Sequence, residues 1–141
     1  MVMAGFILDT DILSLYQHGH PKVGPAVDAH PIKSLAITVI SVEEQVLGWL
    51  NAARQCKRSD RRAWAYRGLA DAATSWERFE IMTYSEPAML RYDQLRKVKL
   101  QIGGQDLRIA AIALEGGATV VTKNRADFAR VPGLAIVDWS V

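Results

Sequence analysis

The chain has a single cysteine, Cys56, so no internal disulfide can form and a reducing compartment is expected. Cys56 has no Cys or His at ligand spacing and reads as a helix residue. Proline is scarce, at five residues, and no linker, repeat or low-complexity stretch divides the chain. Charge of one sign is lacking as well. A formal net charge of +2 gives no global pull on nucleic acid, so any basic surface must be local. No apolar run reaches the length of a membrane span. The first one stops at Asp9, has no basic segment before it and is too short for a signal peptide. These absences lead to the expectation of a soluble cytoplasmic protein that does not engage a membrane.

What is present is ordinary globular composition: 141 residues, 50% hydrophobic and 23% charged. That suits one domain, 1–141, with a substantial core. Short apolar runs alternate with helical patterns. Strands are expected at 5–9, 35–40, 79–84, 118–122 and 134–137, each apolar and most ending in a polar residue. Thr10 or Asp11 can cap a short helix to Gln17, and His18-Gly19-His20-Pro21 breaks it as a surface loop. A second helix covers about 22–29. Ser41 and Glu44 form a capping-box pattern at the start of a helix reaching Cys56, with Val42, Val46, Trp49, Leu50 and Ala53 facing the core. The next helix, about 60–78, carries Ala63, Tyr66, Ala70, Ala73 and Trp76 on one side. Glu86-Pro87 starts a helix to about Leu100. The stretch Leu107–Leu114 is apolar nearly all round, hence a buried helix, closed by Gly116-Gly117. Asn124 can cap a last short helix. This alternation predicts an α/β fold: a three-layer α/β/α sandwich around a central, mostly parallel five-stranded sheet.

The candidate chemistry lies where strands end. Asp9 follows the first strand, Glu44 opens the helix after the second, and Asn124 with Asp127 follows the fourth. Asp106 precedes a strand, but it reaches the same edge if its helix runs antiparallel to the sheet. Each of these residues could serve only as a helix cap or turn residue. Capping, however, predicts no clustering of acids, and clustered carboxylates repel unless a cation sits among them. Oxygen-only ligands favour Mg2+ or Mn2+, and hard cations on carboxylates suit phosphodiester chemistry. Thr122 could position a ligand or water, and Lys123 could meet a phosphate. Arg54 and the run Lys57-Arg58-Ser59-Asp60-Arg61-Arg62 form the one dense basic stretch, either a solvated turn or an RNA-contacting rim.

Four motifs in order resemble a known family: Ile7-Leu8-Asp9-Thr10-Asp11-Ile12-Leu13; Ser41-Val42-Glu43-Glu44 with Gly48; Gln105-Asp106 with Ile109-Ala110-Ala111; and Thr122-Lys123-Asn124 with Asp127-Phe128. Together with Pro132-Gly133-Leu134 and Asp138-Trp139, they look like a PIN domain, closest to single-domain VapC-type toxins of toxin–antitoxin pairs. The resemblance implies a Mg2+- or Mn2+-dependent ribonuclease with Asp9, Glu44 and Asp106 as metal-binding acids. Glu44 is preferred to Glu43 because it lies three after Ser41 and four before Gly48, as in the family. Asn124 stands where many members have Asp, and Asp127 lies one helical turn later. The catalytic set is then Asp9, Glu44, Asp106, Asn124 and Asp127. Thr122, Lys123, Arg58, Arg61 and Arg62 are the candidates for holding substrate. The resemblance also implies a homodimer and a cognate antitoxin whose tail enters the active-site groove. Two other functions are weighed: a phosphatase of the haloacid-dehalogenase type using Asp9, and a non-catalytic RNA-binding module.

Overall fold

A computed structural model describes residues 5–141. Five strands, β1 (Phe6–Leu8), β2 (Leu35–Thr38), β3 (Glu80–Met82), β4 (Thr119–Val121) and β5 (Ile136–Val137), pair in the order β3-β2-β1-β4-β5. All four pairings are parallel, so the sheet is wholly rather than mostly parallel. The helices are α1 (Thr10–Gln17), α2 (Val23–Ala29), α3 (Val39–Gln55), α4 (Ser59–Trp76), α5 (Glu86–Lys97), α6 (Gly104–Gly116) and α7 (Arg125–Phe128).

Alternation along the strands explains the three layers. Ile7, Ala36 and Val120 point to the face covered by the buried side of α6 and by α5. Leu8, Leu35, Ile37 and Val121 point the other way, against Ile12 and Leu13 of α1 and Val23 and Val27 of α2. The chain winds outward from β1 through β2 to β3, then returns to the opposite side of β1 for β4. The switch point of the topology therefore falls between β1 and β4, and in open α/β sheets ligands bind beyond the carboxyl ends of the strands there.

Several expectations need correction. The strand expected at 35–40 ends at Thr38, whose own hydroxyl accepts from the Ser41 N–H at 3.3 Å and caps α3. Val39 and Ile40, although β-branched, are therefore the first helical residues, and the capping box of Ser41 with Glu44 does not form. Neither Thr10 nor Asp11 caps α1; Asp9 does. On α4 the buried positions are Ala65 and Ala72, whereas Ala63, Tyr66, Ala70 and Ala73 are exposed. An alanine-rich helix has little contrast between faces, so its rotation is set by its partner α3 and not by its own pattern. Helix α5 stops at Lys97 because Lys99 and Gln101 turn the chain through left-handed conformations. Gly117, at φ 65°, closes α6 as expected of a glycine C-cap.

Candidate active site

Asp9 leaves β1 with its backbone N–H on the Val121 carbonyl at 3.0 Å. Its Oδ1 accepts from the Ile12 N–H at 2.9 Å, and Thr122 of the β4 exit also hydrogen-bonds its carboxyl. The residue is only 3% exposed. Burial pushes its pKa from 3.8 up to about 6, against the two hydrogen bonds that lower it and with help from Asp11 and Asp106. An enclosed, capped carboxyl of this kind does not suit the attacking nucleophile that the phosphatase reading requires.

Asp106 sits in the first turn of α6, which brings it to the carboxyl edge as its helix direction requires. Its pKa is also raised, by burial first and then by Glu44, Asp11 and Asp127, while a hydrogen bond from Asn124 pulls it down. Asp11 and Asp106 thus act on Asp9, and Glu44, Asp11 and Asp127 act on Asp106, at a single edge. Glu44 is held by Thr10, whose hydroxyl donates to Oε1 at 2.7 Å and lies 2.8 Å from the Ser41 hydroxyl. Asn124 makes no cap for α7. Its amide Nδ2 instead donates to Asp127 Oδ2 at 2.8 Å, and Arg130 Nη1 takes Asp127 Oδ1 at 3.2 Å. Both oxygens of Asp127 are therefore engaged.

The donors are hard oxygens throughout, which fits Mg2+ or Mn2+ and not a softer metal. They converge without closing a cage: among the described residues, no three His, Cys, Asp or Glu side chains already stand close enough to hold a metal.

The candidate substrate residues divide. Thr122 is fully buried, accepts from the Asn124 N–H at 2.9 Å and links Asp9 to the β4 exit, so it faces the interior and not a ligand. Lys123 is exposed beside the acids. Arg58, Arg61 and Arg62 lie at the far end of the α3–α4 hairpin. Eleven residues of helix separate Glu44 from the end of α3, about 16 Å at 1.5 Å per residue, so this turn does not join the acids. Arg58 is also paired with Asp60 at 2.8 Å.

Sequence reasoning passed over two groups. Asp11, which the sequence offers only as a helix cap and part of the first motif, helps raise the pKa of both Asp9 and Asp106. Gln45, one residue after Glu44, is buried and joins three helices. Its Oε1 accepts from Trp76 Nε1 and Gln17 Nε2, both at 2.9 Å, and its Nε2 donates to Gln17 Oε1 at 2.8 Å and Ser14 at 3.2 Å. A glutamine among apolar positions was the available signal. Gln45→Ala leaves the Trp76 and Gln17 donors without that partner, and a loss of about 2–3 kcal/mol is expected. Urea unfolding will read it as a lower midpoint at unchanged slope.

The fold recurs in solved structures. The chain superposes on the DNA-bound VapBC complex from Salmonella typhimurium with a TM-score of 0.81 at 26% identity, covering 97% of this chain and 99% of that one. The chain is similar in fold to a chain of that VapBC complex. VapBC2 from Rickettsia felis, bound to a promoter DNA fragment, gives a TM-score of 0.77 at 26% identity over 95% and 98% of the two chains. Among curated proteins, Ribonuclease VapC2 of Rickettsia felis is 38% identical over 66 residues, 44% of this chain and 49% of its own length. The tRNA(fMet)-specific endonuclease VapC of Salmonella typhimurium is 34% identical over 77 residues, 52% of this chain and 58% of its own length. The matched stretches thus span about half the length of the curated relatives. No family model matches the chain. Among the described residues, no helix is long and apolar enough to cross a membrane.

Proposed function

We propose that the chain is a Mg2+- or Mn2+-dependent ribonuclease that hydrolyses phosphodiester bonds endonucleolytically. We propose further that it is the toxin of a toxin–antitoxin pair, acting in the cytoplasm as a homodimer that a cognate antitoxin restrains. The observation that carries the reading is that Asp106, Glu44, Asp11 and Asp127 are brought from separate helices to one edge of the sheet, where the last three, after burial, help raise the Asp106 pKa. The likeness to VapC proteins named as nucleases, and to VapBC complexes, supports it.

Asp9, Glu44 and Asp106 would hold the cation. When bound, such a cation lowers the pKa of a water and neutralises charge developing on the phosphodiester. Thr10 keeps the Glu44 carboxylate aimed at the site by donating to one oxygen. Asn124 stands at the fourth position as a neutral group hydrogen-bonded to Asp106, so the site carries one negative charge fewer than an Asp there would give. Asp127 orients the Asn124 amide. Lys123 meets a phosphate at the rim, and Arg58, Arg61 and Arg62 hold more distant backbone without reading sequence.

Purified protein with Mn2+ is expected to cut single-stranded or loop RNA to products with a 5′-phosphate and a 3′-hydroxyl, and EDTA should abolish the cutting. RNA binding with no cleavage under Mg2+, Mn2+ or any other divalent ion would favour the non-catalytic module, which Asn124 invites.

A further inference from the structure

From the candidate site a groove runs between α1 and the α3–α4 hairpin, made of two adjoining cavities of about 400 and about 390 Å³. Thr10 and Glu44 line its near end, so it meets the candidate site at Glu44. Trp49 and Trp64 form its middle. Trp49 was expected in the core but is only half-buried. It lies against Gly68 of α4, where an added Cβ would fall on its six-membered ring. That contact fixes its attitude. Trp64 meets it edge to face, with ring centroids 5.3 Å apart and planes at 69°, and is 58% exposed. His18 stands at the rim with Nδ1 on the Ser14 carbonyl at 2.7 Å, which leaves its other ring nitrogen for a ligand. Arg61 lies three residues before Trp64 and Arg67 three after, so both flank it nearly one turn away along α4.

Glu44, a partly open tryptophan pair and then Arg67, which pairs with Asp71 at 3.5 Å, follow one another along a single groove, with Arg61 on α4 just outside it. Aromatic platforms beside a basic track are how proteins hold single-stranded nucleic acid. Trp49 is five residues from Glu44, about 7 Å along the helix axis, within reach of a base close to the nucleotide whose phosphate meets the acids. We propose that Trp64, backed by Trp49 on Gly68, is a stacking subsite for one unpaired RNA base next to the scissile phosphate, with the arginines on the backbone beyond. This rests on the ribonuclease reading and deepens it: the substrate must offer an unstacked base, so loops and single strands are taken and continuous duplex is refused.

Binding of a labelled oligoadenylate is measured in EDTA, where nothing is cut, for the wild type, Trp64→Ala and Trp64→Phe. Trp64→Ala is expected to bind about ten- to a hundredfold more weakly, and Trp64→Phe to recover most of the loss, since base stacking on an aromatic ring has that size. An oligonucleotide with one abasic position beside the cut should bind wild type and Trp64→Ala equally. With Mn2+ present, the Trp64→Ala loss should appear in KM and leave kcat near the wild-type value. Equal oligoadenylate binding and equal KM for wild type and Trp64→Ala overturn the subsite, and so does a Trp64→Ala defect confined to association with a protein partner. If the wild type never cleaves but Trp64→Ala still loses RNA, the subsite stands and the nuclease reading falls. If cleavage is normal and Trp64→Ala changes nothing, the reverse holds.

Discussion

Asp106→Asn is expected to lower single-turnover RNA cleavage by about a thousandfold or more at saturating Mn2+. The substitution keeps the shape of the side chain and removes one of the charges that make the carboxyl edge attractive to a cation. Cations of this kind supply several kcal/mol of transition-state stabilisation, and about 4 kcal/mol corresponds to three decades of rate. Asp127→Asn makes the contrast. Its carboxylate is already shared between the Asn124 amide and Arg130, so it acts by orienting Asn124. Loss of such a supporting partner costs about ten- to a hundredfold. Wild-type rates in Asp106→Asn would remove this residue from the site, and equal losses in the two variants would show that Asp127 holds the cation itself.

Asp9→Asn is expected to stabilise the metal-free protein at neutral pH while abolishing cleavage. The Asp9 pKa is raised from 3.8 to about 6 in the folded chain, with burial the first cause. The native state therefore holds this proton more tightly than the unfolded chain does. Between about pH 4 and 6 the native state binds more protons, so stability falls as pH rises through that window, and the whole penalty is present above about pH 6. A shift of this size is worth about 3 kcal/mol. Asn is as good a cap as Asp, so the bond from the Ile12 N–H survives the change. Thermal unfolding in EDTA should show Asp9→Asn melting about 6–10 °C above wild type at pH 7.5, with the gap vanishing near pH 4. Adding Mn2+ should narrow the gap at pH 7.5 by stabilising wild type alone, because binding to the native state raises its stability. An unchanged gap with Mn2+ would mean that Asp9 does not contribute to cation binding.

These two residues illustrate what could be read along the chain. The abrupt end of Phe6-Ile7-Leu8 at Asp9 marks both a strand and its carboxyl edge, and the structure has both. The nearly all-round apolar run of α6 announced a buried helix, and residues 109–113 are buried as a block. Where the signal was weak, the reading slipped. Val39 and Ile40 look like strand, but the Thr38 hydroxyl starts the helix before them, which no propensity conveys. The face of α4 is not legible in the chain because its alanines are nearly equivalent until Trp49 packs on Gly68. The basic turn was legible as charge, but its distance from Glu44 follows only from the length of α3.

The order of apolar runs, their polar ends and the spacing of the four motifs by themselves determined the α/β class and which acids to suspect, because burial and periodicity are local properties of the chain. Tertiary structure alone decided which suspects meet and how each is held: Thr122 turned inward to Asp9, Thr10 on Glu44, Asn124 and Arg130 on Asp127, Gln45 binding three helices. The reason is that a hydrogen bond or a carboxylate repulsion depends on distance through space, and residues a hundred positions apart acquire a distance only when the sheet brings β1 beside β4.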